Sequence, residues 1–275
     1  MDEQLAALRR WRDASRPVAC VTIMRAQGSS PREAGAFMLV NADSTSGTIG
    51  GGELEWRATS AAREALCSDV GPRTLSVPLG PEIGQCCGGR VDLRIERLDA
   101  NGFDALERSL LQERARRPTL ILFGAGHVGR ALASSLSALP LRLIWADSRS
   151  EEFGTIPQGV EIEDTGDWER IVADAPSGSG ALVLTHSHAL DALIVAALLE
   201  RGDFAYVGMI GSVTKRRQFE SSFREIGLSD ERIVTLVCPI GDRGVRDKRP
   251  EVIAALVTAE IVERLLHAQL LERAL

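Results

Sequence analysis

Cysteine, tyrosine and aromatic side chains are scarce in this chain, and each scarcity removes a class of function. There are 5 cysteines and 1 tyrosine in 275 residues, and aromatics make up 4%. So few rings leave little for stacking on bases, and a net charge of −6 disfavours a general nucleic-acid surface. No apolar run approaches the roughly 20 residues that span a bilayer. The opening stretch "MDEQLAALRRWRDASRP" carries acids and scattered arginines without the apolar core of an export signal. The expectation is a cytoplasmic protein that meets neither membrane nor nucleic acid. In that reducing compartment cysteines react or ligate more often than they cross-link.

What remains is an ordinary globular mixture, 44% hydrophobic and 25% charged, long enough for two domains or one large one. Leu5, Leu8 and Trp11 recur at helical spacing, and Pro17 closes that helix. "PVACVTIMRA" and "GAFMLV" read as strands joined through "QGSSPRE", and "GTIGGGELEWRATSAAREAL" as a glycine cluster running into a helix. "RTLSVPLG" and "RVDLRIERL" read as two more strands, the second alternating Val91, Leu93 and Ile95 with polar neighbours. After a helix over "FDALERSLLQERARR" the rhythm changes. "TLILFG", "LRLIWAD", "ALVLTH", "FAYVGMIG" and "IVTLVCP" alternate with helical stretches, which implies a parallel sheet covered on both faces. A long amphipathic run begins at Pro250. The expected fold class is therefore α/β: an N-terminal mixed α+β accessory domain over residues 1–116, then a C-terminal Rossmann-like parallel-sheet domain over 117–275.

Gly124, Gly126 and Gly129 form G-x-G-x-x-G directly after a strand and at a helix start. The first glycine permits the turn, the second lets a pyrophosphate approach, and the third lets helix and sheet pack. Asp147 follows at the spacing of an acid that accepts a ribose hydroxyl. A nicotinamide or adenine nucleotide is the ligand such a turn suggests, and an unliganded scaffold is the other reading. His127 lies inside the turn. "LTHSHALDA" places His186, His188 and Asp191 at the carboxyl end of a strand, either as a cleft site for acid–base or metal chemistry or as a polar loop.

The consecutive amides of Gly50, Gly51 and Gly52 entering a helix suggest an anion nest, against which stands a mobile capped loop. Ser29, Ser30 and Arg32 add donors suited to oxyanions. The cysteine pair Cys86–Cys87 sits in "LGPEIGQCCGGRV", after Gln85 and before Gly88 and Gly89. Cys20, Cys67 and Cys238 lack the paired spacing of a zinc site, and a disulfide between neighbours would be strained. Burial as small hydrophobes accounts for Cys20 and Cys67 but poorly for a glycine-flanked pair. Reactive thiolates favoured by Arg90, which select soft centres such as a thiophilic metal or sulfane sulfur, account for it better.

Taken together, "GSSPREAGAFM", "GTIGGGELE", "LGPEIGQCCGG", "FGAGHVGRAL", "THSHALD", "YVGMIGSVTKRRQF" and "CPIG…DKRPEVIAA" resemble the xanthine dehydrogenase accessory proteins of the XdhC and CoxI type. The blocks run in family order from about residue 17 to 260. The glycine fingerprint alone is weak, whereas Q-C-C-G-G with G-S-S-P-R and T-I-G-G-G is specific.

The resemblance implies an N-terminal accessory domain and a Rossmann-like C-terminal domain. It implies a chaperone that binds the molybdenum cofactor in its molybdopterin form. Such a chaperone protects the cofactor while a cysteine desulfurase supplies sulfur, and helps insert it into the molybdenum subunit of a xanthine dehydrogenase-type enzyme of purine catabolism. That is a maturation factor without turnover of its own. On this reading Cys86 or Cys87 approaches molybdenum or the transferred sulfur, beside Gln85. The amides of Gly50, Gly51 and Gly52, with Ser29, Ser30 and Arg32, would hold phosphate or pterin. Two other classes compete: an NAD(P)-dependent oxidoreductase using Gly124, Gly126 and Gly129 with His186 or His188 as proton donor, and a redox or nucleotide sensor built on the cysteine pair. The resemblance leaves the occupant of the Gly124–Gly126–Gly129 turn and Asp147 open between a nucleotide, the cofactor's own phosphate end and an empty scaffold for partners. The oligomeric state is open too, a homo-oligomer included.

Overall fold

An antiparallel sheet and a parallel sheet divide the chain. The computed structural model describes residues 2–68, 71–79 and 88–267. It separates into one unit over Met1–Ala115 and another over Arg116–Leu275.

The first unit is a five-stranded sheet with helices on both faces. Its strands are β1 (Ala19–Gln27), β2 (Phe37–Val40), β3 (Thr45–Gly47), β4 (Arg73–Leu79) and β5 (Gly89–Arg97), ordered β3-β2-β1-β5-β4 and antiparallel throughout. Strand β3 was not expected, because "TSG" has no apolar alternation to announce it. Helix α1 (Asp2–Asp13) buries Leu5, Leu8 and Trp11 against Phe103 and Leu110 of α3 (Ala100–Ala115). Helix α2 (Gly52–Leu66) buries Leu54, Ala58, Ala62 and Ala65 in a second cluster with Val21, Ile23, Leu93 and Ile95. The small residues of α2 recur at helical spacing and let it lie close on the sheet.

The second unit is a six-stranded parallel sheet: β6 (Thr119–Phe123), β7 (Arg142–Asp147), β8 (Glu161–Asp164), β9 (Gly180–Val183), β10 (Tyr206–Met209) and β11 (Leu236–Val237). Its order, β11-β10-β9-β6-β7-β8, is that of the doubly wound dinucleotide-binding fold. Leu120 and Leu122 of β6 face a cluster with α4 (His127–Leu136) and α9 (Pro250–Ile261). Ile121 and Phe123 face the other side, with α5 (Trp168–Asp174), α6 (His188–Arg201), α7 (Val213–Glu225) and the short α8 (Asp230–Ile233). The expected strand over "IVTLVCP" shrinks to two residues, because Ile233 is drawn into α8 and buried there. Helix α9 continues as a π-helical turn over Val262–Leu266. Among the described residues no helix is long and apolar enough to cross a membrane.

The direction of strand connection reverses between the neighbours β6 and β9. In open α/β sheets ligands bind at the carboxyl ends beside such a switch point. The glycine turn follows β6, and the "THSH" stretch follows β9.

Candidate functional site

In the N-terminal unit three of the sequence blocks meet at one end of the sheet. Strand β1 ends at Gln27, which pairs with Arg90 of β5. The chain then passes Gly28, and Ser29 forms a parallel bridge with Gly88. A Cβ on Gly89 would stand 2.3 Å from the Ser29 carbonyl oxygen and 2.6 Å from that of Gln27. Only glycine permits that approach. The Gly88 amide donates to Leu79 O at 2.8 Å, and Leu79 pairs with Gly89, so residues 79 and 88 are held together. Gln85, Cys86 and Cys87 lie outside the described residues.

The glycine cluster of residues 50–52 arrives at the same loop. A Cβ on Gly50 would stand 2.4 Å from Pro31 Cγ, which sets "TIGGG" directly against "SSPR". Gly50, Gly51 and Gly52 have φ of 125°, 77° and 62°, a left-handed run that other residues resist. Their nest is already occupied by a carboxylate of the chain. Glu55 Oε2 accepts from Thr48 Oγ1 at 2.5 Å and from the Ile49 and Gly51 amides at 3.1 Å. The Gly50 amide donates to Thr48 Oγ1 at 3.1 Å. Of the three amides expected to face a bound anion, two therefore have internal acceptors. Gly52 opens α2, where amides have no intrahelical partner. Glu55 was legible in principle, since an acid in the first helical turn after a threonine commonly reaches back to loop amides.

Ser30 Oγ donates to Arg32 O at 2.8 Å and shapes the loop rather than pointing away from it. Ser29, Arg32 and Arg90 are exposed, and neither arginine has an ion-pair partner among the described residues. Beside Arg32 a cleft of about 920 Å³ opens, lined among others by Gln4, Glu33, Phe37, Ser46 and Glu113. Ser46 is buried, and its hydroxyl has no hydrogen-bond partner among the described residues.

In the C-terminal unit the three turn glycines divide into two kinds. A Cβ on Gly124 would stand 2.2 Å from Leu184 O, and one on Gly129 would stand 2.1 Å from Gly124 O. The fold itself demands glycine at both. At Gly126, with φ of −65°, a Cβ would meet nothing within 4 Å. Trp145, fully buried, fixes the turn by donating Nε1 to Gly124 O at 3.0 Å.

Asp147 ends β7 where spacing placed it, but its carboxylate is not open to a ribose. Oδ2 accepts from the Ala125 amide at 2.7 Å and from Arg149 Nη2 at 2.9 Å. Oδ1 accepts from the Arg149 amide and from Arg149 Nε, each at 3.0 Å. Four donors fill the lone-pair sites of one carboxylate. Burial alone pushes this carboxyl up, but the Arg149 side chain and the two amides outweigh it and hold it below the ordinary aspartate value. Arg149 was not singled out from the sequence. A narrow slot of about 30 Å³ runs between Ser148, Thr165, Trp168 and His186 beside the turn.

The two histidines of the "THSHALD" stretch have different surroundings: His186 lines the slot beside Asp147, and His188 meets Lys215. Both are exposed, and His127 is exposed at the first position of α4. Asp191, 1% exposed, is the buried member. Its Oδ1 accepts from the amide and hydroxyl of Thr185, each at 2.8 Å, and its Oδ2 from Lys215 Nζ of α7 at 3.2 Å. Lys215 Nζ also donates to His188 Nδ1 at 2.8 Å and lies over the Phe219 ring. An ammonium only donates, so Nδ1 is the acceptor and the ring proton sits on Nε2. Lys215 was missed in the sequence, where its partner lies on another helix. Among the described residues no group of three or more His, Cys, Asp or Glu is placed to hold a metal ion.

Comparison with known proteins agrees with this architecture. The XdhC Rossmann domain matches residues 120–261, just over half of the chain, and the XdhC and CoxI family matches residues 11–77. The uncharacterized protein YqeB of Escherichia coli (strain K12) is 29% identical over 254 residues, 90% of this chain and 43% of that protein. The chain thus spans under half the length of the curated relative it matches. A crystal structure described as a xanthine dehydrogenase from Bacillus halodurans superposes with a TM-score of 0.80 at 20% identity, over 97% of this chain and 96% of that one. At that identity the likeness is one of fold. The matched Rossmann domain, the strand order and the glycine turn agree: the chain belongs to the XdhC family.

Proposed function

We propose that this chain is a maturation factor for a xanthine dehydrogenase-type enzyme, and that its N-terminal unit holds the molybdenum cofactor for sulfuration and delivery. Family membership supports the first part. The second rests on one observation: the blocks "GSSPR", "TIGGG" and the glycines that follow Cys87 meet at one end of one sheet.

The donor set there fits such a cofactor. Arg32 and Arg90 are unpaired among the described residues and suit a phosphate. The adjoining cleft carries Glu3, Glu33 and Glu113 against Arg32. That acidic excess suits the amino and N–H edge of a pterin better than a phosphate. The nest around Gly51 admits an outside anion only if Glu55 withdraws, so phosphate is assigned to the arginines and the Gly52 amide. When bound, the cofactor would supply a soft, dithiolene-held molybdenum centre that accepts sulfur. Cys86 and Cys87, joined to the anchored Gly88, are the soft ligands for that centre, and a cysteine desulfurase is the partner that donates sulfur. The molybdenum subunit of the client enzyme is the second partner.

The test is exchange of Cys86 and of Cys87 for serine, singly and together, with retained molybdopterin and client activation as readouts. Loss of both functions in at least one single variant is expected. Unchanged retention and activation in the double variant would dismiss the assignment of the thiols.

A further inference from the structure

The C-terminal unit carries a second site that the cofactor reading does not use. Glycine at 124 and at 129 is required by the fold, because any Cβ there collides with backbone. Glycine at 126 is not. Its φ is open to every residue, and empty space lies where its side chain would project. A bare backbone facing open space at a switch point is what close approach of a phosphate-bearing ligand requires.

Asp147 decides which ligand. The carboxylate at this position ordinarily accepts the two hydroxyls of a ribose. Here it is filled by four donors and its side chain is 3% exposed. Beside it stands a donor instead. Arg149 is 29% exposed, with Nε and Nη2 on Asp147 and Nη1 only 3.5 Å from Glu152. Glu152 is shared with Arg130 Nη1 at 3.0 Å. One N–H of Nη2 and one of Nη1 remain outside these contacts, and Arg149 is pinned at its base by the aspartate. A guanidinium so held offers a planar set of donors that bind an oxyanion, charge-assisted, more strongly than the neutral hydroxyls of a diol.

We infer that the C-terminal unit binds an adenine nucleotide at the Gly124–Gly129 turn, and that Arg149 selects a ribose carrying a phosphate monoester over a free ribose diol. The pyrophosphate lies over Gly126 and the start of α4. The slot between Trp168 and His186 has room for about one water, so the base rests across its mouth. The Asp147 carboxylate acts as the positioning group for Arg149. This inference stands apart from the cofactor assignment in the N-terminal unit and survives its failure.

The test is titration of the full chain with NADPH and NADH by nicotinamide fluorescence, with coenzyme A as competitor. NADPH and coenzyme A carry the ribose phosphate at different positions, and NADH carries none. NADPH is expected to bind tighter than NADH by roughly tenfold or more, the scale of one charge-assisted hydrogen bond. Displacement by coenzyme A at lower concentration than NADPH itself would place the recognised phosphate at the 3′ position and uphold Arg149 as its reader. Arg149→Gln should bring the NADPH and NADH affinities together. Gly126→Ala should keep the melting temperature yet abolish binding, because its methyl fills space the fold leaves free. Equal or tighter binding of NADH, no binding of either nucleotide, or an unchanged preference in Arg149→Gln would overturn the inference. The comparison in the unaltered chain needs no variant to fold.

Discussion

Pro31 packs on Gly50 so closely that a Cβ on the glycine would stand 2.4 Å from Pro31 Cγ. Two loops separated in sequence by all of β2 and β3 are thereby locked together at the end of the N-terminal sheet. The contact gives a sharp contrast between neighbours. Gly50→Ala meets both the proline and a φ of 125°, and should cost about 2 kcal/mol or more. Gly51→Ala has open space and only the backbone penalty, about 1–2 kcal/mol. Urea denaturation of the two variants separates them. Equal losses would mean that the proline contact contributes nothing.

Asp191 and Lys215 form an enclosed ion pair at the carboxyl end of the parallel sheet, with side chains 1% and 17% exposed. Asp191→Ala strands a mostly buried ammonium and takes the acceptor from both Thr185 donors. The expected loss is about 3–5 kcal/mol. Lys215→Met in the same chain removes the stranded charge, so the double variant should lose less than the two singles combined by about 1–3 kcal/mol. Strict additivity in the cycle would show that the pair is not coupled.

The Asp147–Arg149 pair has a defined pH signature. The folded-state pKa of Asp147 is lowered, despite the opposing effect of burial, by the Arg149 side chain and the amides of Ala125 and Arg149. A depressed carboxylate contributes stability that is full above its unfolded pKa, about 4, and is lost as pH falls through the lower folded value. The stability difference between the unaltered chain and Asp147→Asn should be flat from pH 6 to 8 and shrink below roughly pH 4. Denaturation series across that range measure it. A difference that changes through neutrality and not in acid would assign the effect to another group.

The three described cysteines should differ in reactivity. Burial pushes the Cys20 thiol up to about 11, with the Thr22 hydrogen bond opposing, Glu96 adding and Arg94 opposing. Burial also raises Cys238, against the pull of Arg216 and Lys215. Cys67 is exposed. Alkylation at pH 8 read by peptide mass should mark Cys67 promptly and reach Cys20 and Cys238 only on unfolding. On the proposed function Cys86 and Cys87 are also marked, and molybdopterin protects them. Early labelling of Cys20 would contradict its burial.

The parts legible in the sequence are those governed by backbone sterics and periodicity. Gly124 and Gly129 announce the turn because no other residue fits, and continuous apolar runs such as "TLILF" announce strands covered on both faces. Strands β3 and β8 were hidden, since "TSG" and "EIED" draw their pairing from neighbours rather than from their own pattern. The occupants of the charged positions were hidden too. Nothing local in "WADSR" says that Arg149 saturates Asp147, and in "GTIGGGELE" only the general habit of first-turn acids hints that Glu55 fills the glycine nest. Lys215 meets Asp191 only because β9 and β10 lie side by side and start their helices at the same edge.

The most direct measurement is recovery of the purified chain after incubation with molybdopterin, with pterin and molybdenum determined on the gel-filtered protein. Near-stoichiometric co-elution, reduced in Cys86→Ser or Cys87→Ser and preserved in Gly126→Ala, is the expected result. Elution of the chain free of pterin and metal would contradict a cofactor-handling role for the N-terminal unit.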